Sequence, residues 1–169
     1  IGLAGKRTVL IGAGGAARAA LWGLLRSGVS SVCIGVRNLA KGKALCTDFA
    51  ADGTLAVYCF DDPHFRDVLC TADIVVQTTP IGMSPQTDAM PPVDPAAISP
   101  SAAVYDLIYT PAETAFLRAA AAHGCTTING ETMLVMQGAE AFSLWTGVRP
   151  NTDLMQRVLR EELARREGA

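Results

Sequence analysis

A glycine-rich turn near the start of the chain joins an apolar strand to a run of small residues. The predicted strand, Thr8 to Ile11, leads directly into Gly12, Ala13, Gly14, Gly15 and Ala16. In α/β units of this kind, glycines permit a sharp turn and let backbone N–H groups approach a diphosphate, while a small residue such as Ala17 packs helix on strand. The unpaired N–H groups and dipole of the helix N-terminus also favour an anion. The pattern predicts a diphosphate-binding turn, although a tight turn without a ligand would show the same pattern.

Composition limits the class of protein. Half of the 169 residues are apolar, which suffices for one domain, and the net charge of −2 disfavours nucleic acid and anionic membranes as partners. The five cysteines show no C-x-x-C spacing and fall mostly in apolar segments, which predicts reduced thiols and a cytoplasmic protein. We find no apolar run of membrane-spanning length and no signal-like start. Because Ile1 precedes the first strand so closely, we expect one domain of a longer protein.

Short apolar runs alternate with helical patterns along the chain, as is typical of a parallel sheet covered on both faces. The predicted strands are Thr8 to Ile11, Val32 to Val36, Leu55 to Phe60, Ile74 to Gln77, Ala103 to Asp106 and Thr126 to Ile128. The predicted helices are Ala16 to Ser27, Leu39 to Ala51, His64 to Cys70, Ala112 to His123, Thr132 to Trp145 and Thr152 to Arg166.

Right-handed crossovers between these strands predict a doubly wound, six-stranded parallel sheet of the Rossmann type in a three-layer αβα domain. The expected strand order is 3-2-1-4-5-6, so ligands should bind at the carboxyl ends of the first and fourth strands. A proline-rich, irregular segment, residues 80–100, starts at that edge and is expected to form a rim of the site.

The residue after the second strand distinguishes between nicotinamide cofactors. NAD-binding folds usually carry Asp or Glu there for the ribose hydroxyls, whereas this chain has Arg37, followed by Asn38 and Lys41. A guanidinium group can bind a 2′-phosphate with two hydrogen bonds, and the lysine can add a second cation. We therefore predict NADP as the cofactor; the alternative is that both cations are solvated surface charges.

Four blocks of sequence together form a specific pattern that extends over nearly the whole chain. They are Gly12 to Ala19, Thr78 to Met83, Tyr105 to Tyr109, and Asn129-Gly130 with Met133 to Val135 and Gln137. In these blocks the chain resembles the C-terminal, nucleotide-binding domain of the shikimate dehydrogenase family. The resemblance implies reversible hydride transfer between NADP(H) and 3-dehydroshikimate to give shikimate, a step of chorismate and aromatic amino acid biosynthesis.

The resemblance also implies roles for individual residues. The diphosphate and adenosine phosphate would be held by Gly12, Ala13, Gly14, Gly15, Ala16, Arg37, Asn38 and Lys41. The nicotinamide and its ribose would be contacted by Thr78, Thr79, Pro80, Ile81, Leu107, Gly130 and Met133. The substrate would be contacted by Tyr109 and Gln137. Because Met133 and Gln137 are four residues apart, they share one helical face. Taken alone, the glutamine also fits a solvated position and the tyrosine a packing position.

Several residues depart from the family pattern, beginning with Val36-Arg37-Asn38, where the family often has Asn-Arg-Thr. Gln77 stands where Asn is common, and Glu131-Thr132 replaces the usual Leu-Gly. We expect the Glu131-Thr132 change to put a carboxylate and a β-branched residue beside the nicotinamide pocket. A quinate/shikimate dehydrogenase that uses NAD(P) is therefore an alternative.

A proton donor for the ketone is missing from the chain. In the family that this chain resembles, a lysine and an aspartate of an N-terminal substrate domain transfer the proton, and no segment here corresponds to that domain. The nearest candidates, His64, His123, Asp106 and Lys6, fit surface or local structural roles better. We predict no catalytic residue and no metal site in this chain, which should bind NADP(H) with negligible turnover.

Two other kinds of protein remain open. One is a non-catalytic module that senses NADP(H), and the other is an unrelated oxidoreductase with the same fold. Phe142, Trp145 and the apolar residues of the last helix either bury within the domain or form a patch suited to a homodimer.

Overall fold

Six parallel strands form one sheet in the part of the chain that the structure, a computed structural model, describes, residues 2–167. The strands are β1 (Arg7–Ile11), β2 (Ser31–Val36), β3 (Leu55–Cys59), β4 (Ile74–Gln77), β5 (Ala103–Asp106) and β6 (Thr126–Ile128). They lie in the order β3-β2-β1-β4-β5-β6. The predicted doubly wound fold and its strand order are confirmed.

The helices lie where the sequence predicts them, with shifted ends. They are α1 (Gly15–Arg26), α2 (Leu39–Asp48), α3 (Pro63–Thr71), α4 (Ala115–Ala122), α5 (Glu131–Thr146) and α6 (Thr152–Glu167). The predicted start of α4, Ala112, is wrong because Thr114 caps the helix: its hydroxyl accepts the Leu117 N–H at 3.2 Å. Among the described helices, none combines the length and apolar content needed to cross a membrane.

Apolar side chains from the helices pack on both faces of the sheet. Phe65 of α3 and Phe116 of α4 pack on one face, and Leu21 of α1 and Leu45 of α2 pack on the other. Each such fully buried side chain contributes about 1.5–3 kcal/mol to folding. This packing confirms the predicted αβα arrangement.

The five cysteines are all free thiols, and they differ in burial. Cys33 and Cys125 are buried in the core, as the apolar context of the cysteines suggests. Cys70 is exposed, so the expectation of a core position does not extend to it.

The sheet changes winding direction at β1. This strand pairs in parallel with β2 on one side and with β4 on the other, and Ile11 lies opposite Gln77 in the second pair. The chain segments that follow β1 and β4 therefore leave the sheet side by side. This geometry is what brings loops distant in sequence to one edge.

The end of α5 and the first half of α6 expose large apolar side chains. Leu144 is 84% exposed, Trp145 83% and Phe142 43%. Leu154 and Val158 of α6 are also exposed. Of the two alternatives for these residues, complete burial within the domain is therefore excluded, although Leu163 of α6 is buried. Helices α5 and α6 pack mainly on each other, which leaves their other faces without a partner in the described structure.

A buried carboxyl group ends β5. The side chain of Asp106 is fully buried and accepts hydrogen bonds from the Ile108 N–H at 3.0 Å and the Thr114 hydroxyl at 2.8 Å. It thus closes the turn that follows β5, the local structural role expected for it. Burial is the main cause that raises the pKa of this carboxyl from 3.8 to about 6.

We predict that Asp106→Asn removes a pH-dependent loss of stability. Because the folded-state pKa is raised, the protonated carboxyl is favoured by folding; its stability contribution is complete below about pH 4 and is lost as the pH rises through about 6. The stability of the wild type relative to the variant should fall by about 2–3 kcal/mol between pH 4 and 7. Urea unfolding of both proteins across this range measures the difference, and a constant difference would contradict the assignment.

Candidate functional site

The turn after β1 is held against the turn after β4. Gly12 has a φ of +108°, and a Cβ at this position would lie 2.8 Å from Thr79 Cγ2 and 2.9 Å from Thr78 Oγ1. The Thr78 hydroxyl donates to the Ile11 carbonyl at 2.6 Å, which ties the two turns together. Glycine is therefore required at position 12 both for backbone conformation and for space.

The N-terminus of α1 presents backbone donors to solvent. Gly14 is the N-cap residue, no side chain caps the helix, and the first turn carries no acidic residue. Gly14, Gly15 and Ala16 are exposed, whereas Ala17 is fully buried against the sheet. The third small position thus packs as predicted, and the free N–H groups suit an anion such as a diphosphate.

Cations follow β2 at the same edge of the sheet. Arg37 and Lys41 are exposed, and the first carboxylate after β2 in the sequence is that of Asp48. Asn38 caps α2, because its Oδ1 accepts the Lys41 N–H at 3.1 Å. The asparagine therefore has a structural role at the start of α2, with Arg37 just before the helix and Lys41 in its first turn.

The segments after β5 and β6 meet backbone to backbone. The Gly130 N–H donates to the Ile108 carbonyl at 2.9 Å, and a Cβ at position 130 would lie only 2.0 Å from the Leu107 carbonyl oxygen. Only glycine fits this contact. This contact places the start of α5, the helix that carries Met133, beside Leu107.

A cleft of about 920 Å³ opens at the carboxyl edge. Eight of the predicted site residues line it: Ala16, Thr78, Thr79, Pro80, Leu107, Tyr109, Met133 and Gln137. Met133 and Gln137 enter the same cleft, in agreement with their spacing on one face of α5. The other predicted residues do not line the cleft: they lie in the turns and at the helix starts described above, except that Lys41 lies in α2 and Ile81 follows Pro80.

The cleft also runs along the face of the sheet. Ile74 and Val76 of β4, Ala103 and Tyr105 of β5, and Leu3 line this extension. Sequence reasoning missed these positions as lining residues, because it treats strand residues as core. The walls here are mostly apolar side chains.

Ionisable groups are scarce in the cleft. Among the described residues that line it, only Tyr105 and Tyr109 can titrate, and burial raises the pKa of Tyr105. His64 lies in α3, 74% exposed in its side chain and bonded to Asp62, and His123 is the C-cap of α4. The cleft can thus hold a ligand through shape, hydroxyls and amides.

The expectation that Glu131 and Thr132 lie beside the nicotinamide pocket is wrong. Glu131 is 9% exposed, and its carboxylate accepts hydrogen bonds from Arg160 Nε at 2.9 Å and Asn129 Nδ2 at 3.0 Å. These bonds keep the pKa of Glu131 below its usual range, although burial opposes them. Thr132 Oγ1 accepts a bond from Gln156 Nε2 at 3.0 Å. Both residues therefore fasten α5 to α6 and do not line the cleft.

Two family models match the sequence. The model of shikimate/quinate 5-dehydrogenase matches residues 1–83, and the model of the shikimate 5′-dehydrogenase C-terminal domain matches residues 130–160. The matches therefore include both the glycine turn and the start of α5.

Individual proteins agree with these matches. The NADP⁺ shikimate dehydrogenase of Moorella thermoacetica is 41% identical over 167 residues, which are 98% of this chain and 56% of that protein. The solved shikimate 5-dehydrogenase of Thermus thermophilus, in complex with NADP(H) and shikimate, is 34% identical with a TM-score of 0.78, covering 98% of this chain and 56% of that one.

A second solved protein carries the name of an enzyme that acts on a different substrate. The ligand-free 5-ketofructose reductase of a Gluconobacter strain is 32% identical with a TM-score of 0.83, covering 95% of this chain and 58% of that one. The chain thus spans a little over half the length of the proteins that it matches. By the family models and by these similarities, the chain belongs to the shikimate dehydrogenase family.

Proposed function

We propose that this chain is the NADP(H)-binding domain of an NADP-dependent shikimate dehydrogenase, which interconverts 3-dehydroshikimate and shikimate. The observation that carries the proposal is the position of Arg37, an exposed cation at the carboxyl end of β2, at the edge where the α1 N-terminus is also uncapped. Relatives about 40% identical over most of this chain carry the name NADP⁺ shikimate dehydrogenase.

The residues of this edge fit the parts of NADP(H). The N–H groups at Gly14, Gly15 and Ala16 suit the diphosphate. The diphosphate would also lie against Gly12 and Ala13. Arg37 and Lys41 suit the 2′-phosphate, beside Asn38. The nicotinamide ribose would lie against Thr78, Thr79, Pro80 and Ile81, and the ring against Leu107, Gly130 and Met133. When bound, NADPH supplies the hydride.

The substrate would enter from the open side of the cleft. Tyr109 and Gln137 both line it, and they offer a hydroxyl and an amide to the hydroxyl and carboxylate groups of a cyclohexene acid. Met133 lies one helical turn from Gln137, so the nicotinamide and the substrate would sit next to each other. These residues bind and orient, and none of them is proposed to transfer the proton.

The proton donor would come from an N-terminal substrate domain outside this chain. The support is twofold: the matched relatives are longer, and the cleft lining in the described part offers only tyrosines as acids. We propose that this domain also covers the exposed Leu144 and Trp145, in a cytoplasmic enzyme; pairing of two copies through the same patch is the other way to cover it.

Replacement of Arg37 by alanine tests the choice of cofactor. The wild-type chain should bind NADPH more tightly than NADH, and Arg37→Ala should lower this preference by about tenfold to a hundredfold, the value of one charge-assisted hydrogen bond. Fluorescence titration with both cofactors measures it. Arg118→Ala, an exposed arginine of α4, is the matched control. An unchanged ratio in the Arg37 variant would refute the role of this residue.

Steady-state turnover tests whether the proton donor lies outside this chain. The 169-residue chain should reduce 3-dehydroshikimate with NADPH at least about a hundredfold more slowly than the Thermus enzyme, because a positioned proton donor contributes about 10²–10⁴-fold. The decrease of NADPH absorbance gives both rates. Turnover by this chain at the rate of the full-length enzyme would show that the donor lies within it.

A further inference from the structure

Gln77, the last residue of β4, carries a fully buried amide at the edge of the sheet where the site lies. Its side chain is 0% exposed, although glutamine is rarely found in a protein core. A buried amide must find partners for its donors and acceptor, or folding loses free energy.

The partners of Gln77 all lie in the 78–81 loop, the segment of residues 78–81 that follows β4. Its Oε1 accepts the Thr79 N–H at 2.7 Å, and its Nε2 donates to the Thr79 carbonyl at 3.0 Å and the Ile81 carbonyl at 3.1 Å. The loop thus folds around the amide and satisfies both its donor and its acceptor.

These bonds control what the loop presents to the cleft. With its backbone fixed, Thr79 turns its methyl group toward Gly12, and its hydroxyl accepts the Ile81 N–H at 3.3 Å. Thr78, Thr79 and Pro80 then line the cleft. Gln77 itself does not line the cleft, so any effect on a ligand must pass through this loop.

We propose that Gln77 is a positioning residue for the nicotinamide half of the cofactor. Its amide holds the 78–81 loop in the conformation that contacts the nicotinamide ribose, while the adenosine half binds at Arg37 and the α1 N-terminus without its help. This inference rests on the proposed function. An asparagine is one methylene shorter, so we expect it to form fewer of these three hydrogen bonds.

Two ligands separate the halves of the cofactor. The probes are NADPH and adenosine 2′,5′-bisphosphate, which lacks the nicotinamide ribose, titrated into the wild type, Gln77→Leu, Gln77→Asn and the control Gln86→Leu. Gln77→Leu keeps a side chain of similar size and removes all three hydrogen bonds. Gln86 is exposed, so its variant controls for loss of a glutamine in the same region.

Gln77→Leu should lower the affinity for NADPH at least about tenfold, the value of one or two hydrogen bonds. The affinity for the bisphosphate should change less than about twofold. Gln77→Asn should lower the affinity for NADPH by a smaller factor, again with little change for the bisphosphate. If the leucine variant does not fold, the asparagine variant tests the inference. Equal weakening of both ligands, or of neither, overturns the inference. Wild-type protein that binds neither ligand overturns the proposed function instead.

Discussion

The close approach of two loops at the β1/β4 switch is the constraint on which the rest of the site depends. Gly12 leaves β1 where Thr78 and Thr79 leave no space for a side chain. Because β1 and β4 are paired in register, the two loops emerge together, and the helix that follows Gly12 directs its N-terminus over the same edge. A side chain at position 12 would push the two loops apart.

The groups along this edge are suited to binding an anionic cofactor. Positive charge comes from Arg37, Lys41 and the dipole of α1, and the cleft itself is lined by apolar groups, hydroxyls and one amide. The titratable groups with the clearest structural roles, Asp106 and Glu131, are occupied by bonds within the fold. In the function proposed above, the domain holds and orients NADP(H), and the acid comes from another domain.

Sequence patterns predict the strands, their order and several residues of the cleft lining because these depend on local signals. Glycines at a strand-to-helix turn, a cation after β2 and the four-residue spacing of Met133 and Gln137 need no knowledge of distant contacts. The helices and strands of the structure differ from the predicted ones mainly at their ends.

The remainder depends on tertiary partners that sequence patterns do not reveal. The start of α4 is set by Thr114, whose hydroxyl also bonds to Asp106 at the end of β5. The direction of Glu131 is decided by Arg160, 29 residues away. Gln77 resembles an ordinary polar residue at a strand end until the loop around it is seen. Such contacts cannot be inferred from periodicity.

A crystal structure of this chain with bound NADP⁺ tests the central claim most directly. We expect the diphosphate at the N-terminus of α1, the 2′-phosphate beside Arg37, and the nicotinamide between the 78–81 loop and Met133. A cofactor bound with its diphosphate away from Gly14 and Gly15, or with the 2′-phosphate distant from Arg37, would contradict the claim.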